Sequence, residues 1–199
     1  MTIIIALKDK KNKRIIIGAD KQGTLGQCKV KVPTKIFSLP VDIVDGYGEV
    51  IDTAKIHIGI SGYGFLKHFL QYGFNIPQMN EHQEFIEYLY QTFLPCLREV
   101  LTENQLVDVN NNSLDTESYM IMVFKGEIYR VENNFGVDVI DEEYYINGSG
   151  YEVALGSLYT NLTFHNNLNR IEIVKQAIRA ASATTIYCSG EVDLKVINY

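Results

Sequence analysis

Thr2 is the residue on which chemistry can first be built. A threonine hydroxyl is a weak nucleophile at neutral pH, and a free α-amine, with a reference pKa of about 7.7 to 8, is the one base that an N-terminal residue carries on itself. Excision of Met1, which a small second residue permits, would leave hydroxyl and amine together on Thr2. Gly62 stands where a strand-like pattern gives way to a helical one. The amides of a first helical turn are unpaired and favour developing negative charge, which suits an oxyanion. Ser149, between Gly148 and Gly150 at a second such junction, is a good helix N-cap. Taken singly, Asp20 reads as a strand-end turn acid and Lys35 as a solvated edge lysine. Gly148-Ser149-Gly150 starts like a dinucleotide loop, but Gly156 comes too late and no acid stands about twenty residues on. His57, His68, His82 and His165 lack ligand spacing, and Asp138, Asp141, Glu142 and Glu143 read as a solvated hairpin. Neither a catalytic metal nor a cofactor is expected.

The elements that must position these residues follow from periodicity. Residues 3–7 and 15–18 are β-branched apolar runs joined by Lys8-Asp9-Lys10-Lys11-Asn12-Lys13-Arg14, which predicts a hairpin with a solvated tip. Strand signals continue at 30–32, 36–39 and 55–61, the last with Ile56, Ile58 and Ile60 on one face and His57 and Gly59 on the other. Residues 40–53 show little periodicity and read as a surface excursion or an extra hairpin. Helical spacing follows over 65–72 and 81–101, where Pro95 should kink or break a wide apolar stripe. A polar loop at 110–115 precedes strands at 119–124, 128–131, 137–140 and 144–146. Helices at 151–159 and 170–183 and strands at 185–188 and 194–197 complete the chain. This order is not the alternation of a parallel doubly wound sheet. It suits an α+β fold of two antiparallel sheets packed face to face with a helix pair outside each, formed by residues 1–199 as one domain.

Bulk properties narrow the function. The chain of 199 residues is 46% hydrophobic and 21% charged, which is globular, and no window approaches the eighteen or so apolar residues of a membrane span. The basic cluster at 8–14 follows the first apolar run, the reverse of a signal peptide, so a cytoplasmic location is expected. Cys28, Cys96 and Cys188 are odd in number and widely spaced, and read as reduced, mostly buried thiols. A net charge of −6 with scattered lysines offers no face for nucleic acid.

Gly18-Ala19-Asp20-Lys21-Gln22-Gly23-Thr24-Leu25-Gly26 resembles the second-strand segment of the HslV and proteasome beta-subunit family of N-terminal nucleophile hydrolases. Four further marks fall in that family's order. Thr2 heads an apolar strand, Lys35 precedes Ile36 and Phe37, and both Ser61-Gly62-Tyr63-Gly64 and Gly148-Ser149-Gly150 join a strand to a helix. The resemblance runs from Thr2 to about Gly190, with residues 41–53 as an insertion. It implies a four-layer αββα sandwich, a catalytic Thr2, and assembly into stacked rings around a degradation chamber. It further implies that Lys35 lowers the pKa of the Thr2 amine, that Asp20 orients Lys35, that the Gly62 N–H holds the oxyanion and that Ser149 bonds near the amine. Ile60, Pro33 and His68 would surround the primary side-chain pocket. Three departures stand out: Ile3 replaces a second threonine, the first hairpin is about two residues longer, and no aspartate lies near Thr185.

The function expected is therefore a threonine peptidase that cleaves unfolded polypeptides inside a homo-oligomeric ring and is fed by an ATP-driven unfoldase. Large apolar residues over 65–72 and 85–101 exceed what one helix face needs, which also points to subunit contacts. A catalytically silent ring subunit and a hydrolase of small amides remain as alternatives, the first because Ile3 stands where a second threonine is usual, the second because fold does not determine substrate.

Overall fold

The computed structural model describes residues 2–110, 113–165 and 168–199. The first half runs β1 (Ile3–Asp9), β2 (Arg14–Asp20), β3 (Gln22–Leu25), β4 (Cys28–Lys31), β5 (Ile36–Val44) and β6 (Val50–Gly62). Then come α1 (Phe65–Tyr72), β7 (Met79–Asn80), α2 (Phe85–Tyr88), α3 (Leu94–Glu103), β8 (Asp108–Asn110) and β9 (Ser113–Asp115). The chain closes with β10 (Ser118–Phe124), β11 (Glu127–Val131), β12 (Val137–Ile140), β13 (Tyr144–Gly148), α4 (Tyr151–Phe164), α5 (Arg170–Thr184) and β14 (Val192–Asn198).

A four-stranded antiparallel sheet has the order β13-β1-β2-β14. A six-stranded sheet has the order β12-β11-β10-β6-β5-β7, antiparallel except for the short β5–β7 pair. Residues on β1 divide between two cores. Ile3, Ile5 and Leu7 pack with Ala154, Leu158, Ile173 and Ile178 of α4 and α5, while Ile4 and Ala6 pack with Ile36, Ile121 and Val123 of the facing sheet. Burial on both faces explains why β1 and β2 read as unbroken apolar runs rather than alternating ones. On the far side Ile56, Ile58 and Ile60 of β6 pack with Leu66, Leu70, Phe93 and Leu97 of the helical layer. The result is the αββα sandwich expected from the order of elements. The sheets approach so closely that a Cβ on Gly59 would lie 2.9 Å from Ile4 Cγ2.

Several expectations are corrected. Of the two readings of 40–53, the hairpin holds and the surface excursion does not, because β5 and β6 stay paired up to Val44 and Val50 as one long hairpin. The irregularity expected at Pro95 takes the form of a π-helical turn over Leu89–Phe93, after which α3 begins with Pro95 in its first turn, where a missing N–H is tolerated. Residues 185–188 form a turn rather than a strand. Lys8 and Asp9 are buried instead of solvated: Lys8 Nζ meets Glu127 at 3.0 Å and the Ile140 carbonyl at 2.7 Å, so the exposed tip is only residues 10–13. Of the cysteines only Cys188 is buried, Cys28 being exposed and Cys96 intermediate. For the polar loop at 110–115, residues 111 and 112 lie outside the described residues, and their flanks pair as β8 and β9.

Candidate active site

Asp20 ends β2 with its carboxylate fully buried, and four donors converge on it. Oδ1 accepts from the Ile3 N–H at 3.0 Å and from Lys35 Nζ at 2.7 Å. Oδ2 accepts from the N–H groups of Gln22 at 3.0 Å and Ser189 at 3.3 Å. Because Ile3 N and Lys35 Nζ share one oxygen, the lysine ammonium and the backbone that follows Thr2 stand no farther apart than two hydrogen bonds allow. The single-residue readings of a turn acid and a solvated lysine are thereby overturned, since Asp20 is 0% and Lys35 7% exposed. Burial lowers the Lys35 pKa and the Asp20 charge opposes that fall, so the pair keeps a cation in a place where desolvation works against it.

The turn ahead of β5 that carries Lys35 is clamped from outside. Lys67 of α1 donates to the Thr34 carbonyl at 2.6 Å, the Thr34 hydroxyl donates to Asp193 of β14, and the Ile60 N–H donates to the Lys35 carbonyl at 3.1 Å. Lys35 is thus tied to three elements at once.

Thr2 itself is 4% exposed and borders a cleft of about 510 Å³ that Ser61, Gly62, Tyr63, Glu117, Tyr119, Asn147, Gly148 and Ser149 also line. The Thr2 carbonyl accepts from the Ser149 N–H at 2.7 Å. Two glycines are forced by this geometry. Gly148 has φ +114°, and a Cβ there would lie 1.9 Å from the Thr2 oxygen; Gly62 has φ +100°, and a Cβ would lie 2.1 Å from the Glu117 oxygen. The Ser61 hydroxyl donates to Asn147 Oδ1, which joins the β6 wall to the β13 wall. Met1 lies outside the described residues.

All five expected catalytic positions, Thr2, Asp20, Lys35, Gly62 and Ser149, thus gather at one end of the sandwich. Ser149 differs in detail: it is exposed, and the N-cap of α4 is Gly150, without a side-chain cap bond. Ile60, Pro33 and His68 do not line the cleft. Ile60 is 5% exposed within the helix-side core, and Pro33 and His68 are exposed. Sequence reasoning missed Ser189, Gln22, Ser61, Asn147 and Glu117. Ser189-Gly190 repeats the Ser-Gly pairs at 61–62 and 149–150, a signal that could have found it. Gln22 stood inside the quoted motif without a role, and it accepts from the Ser189 hydroxyl and donates to the Ile186 carbonyl. Among the described residues no cluster of His, Cys, Asp or Glu could hold a metal, and no helix is long and apolar enough to cross a membrane.

The order of layers and strands is that of the proteasome-type αββα fold. The solved structures it resembles are of that kind. BPH of Thiobacillus denitrificans superposes with a TM-score of 0.74 at 20% identity, covering 100% of this chain and 98% of that one. A second BPH structure, in complex with epoxomicin, gives 0.75 at 20% identity, with the same coverage. HslV from Trypanosoma brucei gives 0.62 at 16% identity with both chains fully covered. The Anbu complex of Pseudomonas aeruginosa, a helical assembly, gives 0.64 at 11% identity over 99% of this chain and 81% of that chain. No family model and no curated protein sequence matches the chain.

Proposed function

We propose that this chain is an N-terminal threonine peptidase of the HslV and proteasome beta kind. The observation that carries the proposal is the shared oxygen: Asp20 Oδ1 ties Lys35 Nζ to the backbone N–H immediately after Thr2. After excision of Met1, the Thr2 hydroxyl attacks the scissile carbonyl and passes its proton to its own α-amine. Lys35, held charged by Asp20, lowers that amine's proton affinity so that it is free to act as base. The Gly62 N–H holds the oxyanion, while Ser149 keeps the Thr2 backbone in place through the bond to its carbonyl. Collapse of the tetrahedral intermediate expels the amine product, protonated by the α-ammonium, and leaves an acyl ester on Thr2. Water, deprotonated by the same amine, then releases the acid.

On this reading Ile60, Pro33 and His68 flank the primary side-chain pocket on the Lys35 side, with Ile60 giving it an apolar base. Substrates are unfolded polypeptides. Assembly into homo-oligomeric rings supplied by an ATP-driven unfoldase and a cytoplasmic setting belong to the same reading, and the assembled Anbu relative supports oligomerisation. The apolar stripes of the helical layer add less support, since they are taken up by the core and leave mainly Tyr72 and Tyr90 exposed.

The test is trapping with a peptide epoxyketone, which closes a ring only on a neighbouring hydroxyl and amine; the BPH complex with epoxomicin makes that probe a natural choice. Mass spectrometry should place the adduct on Thr2, and Thr2→Ala should abolish both labelling and hydrolysis of an unfolded protein. Hydrolysis undiminished in Thr2→Ala would end the proposal. Intact assembly with neither labelling nor hydrolysis would instead favour the silent ring subunit.

A further inference from the structure

Among the described residues that line the cleft beside Thr2, Glu117 is the one of a charged type, and there is no lysine or arginine. Tyr63, Tyr119, Ser61, Asn147 and Ser149 line it too, and Glu117 and Tyr63 stand at its border with a neighbouring groove that Phe65 and Asp115 share. Glu117 belongs to neither the nucleophile nor its supporting network.

Its position is nevertheless tightly held. Glu117 has φ +50°, a left-handed conformation uncommon for a residue with a side chain. The Glu117 N–H donates to Asp115 Oδ1 at 2.7 Å, and that same oxygen accepts from Asn133 Nδ2 at 2.9 Å. The Glu117 carbonyl accepts from the Tyr63 N–H at 3.1 Å and is the atom that a Cβ on Gly62 would strike at 2.1 Å. The Glu117 backbone and the oxyanion glycine are therefore packed into one unit, so that the Glu117 main chain cannot shift without moving Gly62.

A glutamate and two tyrosines that line one cleft are complementary to a long cationic side chain. The carboxylate supplies the counter-charge, and the rings supply apolar surface for the stem and a negative π-face for the head. Resting on the peptidase reading, we propose that Glu117, with Tyr63 and Tyr119, is a specificity determinant selecting lysine or arginine at a substrate residue flanking the scissile bond. Ile60, Pro33 and His68, the residues proposed for the primary side-chain pocket, do not line this cleft, so Glu117 acts on a different residue of the substrate.

The experiment uses wild-type enzyme and matched peptides that differ at one flanking position, carrying arginine, its uncharged isostere citrulline, or glutamate. An exposed ion pair reinforced by aromatic contact corresponds to a preference of about tenfold in kcat/KM for arginine over citrulline at one position, shrinking as salt is raised. Glutamate should be the poorest of the three. Glu117→Gln should bring the arginine-to-citrulline ratio close to one, and Glu117→Lys should invert the order of arginine and glutamate. Equal rates for arginine and citrulline at every position, with Thr2 still labelled by the epoxyketone, would overturn this inference and leave the peptidase reading standing. A ratio unchanged in Glu117→Gln would overturn the assignment to that residue. No turnover of any peptide together with an unlabelled Thr2 would remove the peptidase reading and this inference with it.

Discussion

Asp20→Asn should destabilise the protein more than Lys35→Met, although the two side chains form one ion pair. The asymmetry comes from the number of donors each group satisfies. Asp20 accepts from Ile3, Lys35, Gln22 and Ser189 with two oxygens, whereas Lys35 Nζ has Asp20 as its hydrogen-bonded carboxylate partner. Asparagine keeps one acceptor oxygen, so its NH2 group must face donors whichever way the amide turns. Turned one way, it strands the N–H groups of Gln22 and Ser189 at about 1–3 kcal/mol each; turned the other, it strands the Ile3 N–H and leaves the ammonium unpaired, the latter alone at about 3–5 kcal/mol. Either way the loss is on the order of 4 kcal/mol, a large part of the 5–15 kcal/mol that typically holds a domain together. Lys35→Met retains most of the buried stem and leaves the Asp20 carboxylate with three N–H donors, so about 1–3 kcal/mol is expected. In urea, with a slope of about 2 kcal/mol per M, Asp20→Asn should lower the unfolding midpoint by about 2 M and Lys35→Met by about 1 M. The double variant should recover part of the Asp20→Asn loss, because the stranded cation is gone. Both single variants should lose epoxyketone labelling. A smaller midpoint shift for Asp20→Asn than for Lys35→Met would refute the view that Asp20 is the anion around which the site is organised.

Three further outcomes follow from the same geometry. Gly62→Ala forces a Cβ to within 2.1 Å of the Glu117 oxygen at φ +100°; the backbone must move, with about 2–4 kcal/mol lost and kcat lowered at least about a hundredfold, read by thermal melts and peptide hydrolysis. Thr2→Ser keeps both hydroxyl and amine and should retain partial kcat with unchanged pH dependence, whereas Thr2→Ala should be inactive with a melting temperature within a few degrees of wild type, about 1 kcal/mol or less. His57, bonded to Ser38 at 2.8 Å, is pushed down to about 4 by burial, with Lys195 and Lys55 adding to the fall. Its folded pKa lies below the unfolded value, so neutral His57 stabilises the fold above pH about 6.5 and that contribution is lost as pH falls towards 4. Denaturation midpoints between pH 7 and 4 should therefore fall more steeply for wild type than for His57→Gln.

Much of this protein was legible because the relevant physics is local. Apolar runs without alternation at 3–7 and 15–18 fit strands buried on both faces, and the order of elements, not alternating strand and helix, favoured two sheets with outer helices over a doubly wound sheet. Stripes at helical spacing and glycines at strand-to-helix junctions marked the outer layers and their entry points. Thr2 could be put forward as a candidate nucleophile because its base would be part of the same residue, but it was the resemblance that singled it out.

What sequence could not determine is where long-range partners meet. Glu117 and Gly62 are 55 residues apart in number, yet the Glu117 carbonyl is what requires Gly62 to be glycine. Lys8 looked solvated by its neighbours in sequence, and only the packing of β1 beside β11 and β12 shows it buried against Glu127 and the Ile140 carbonyl. Asp20 read alone is an ordinary turn acid. Its four donors come from residues 3, 22, 35 and 189, and nothing in their spacing announces that they converge. Periodicity specifies which face of an element is apolar, because backbone geometry repeats along it. Which polar groups end up sharing one buried oxygen depends on how sheets and loops close in space, and that is decided only when the whole chain has packed.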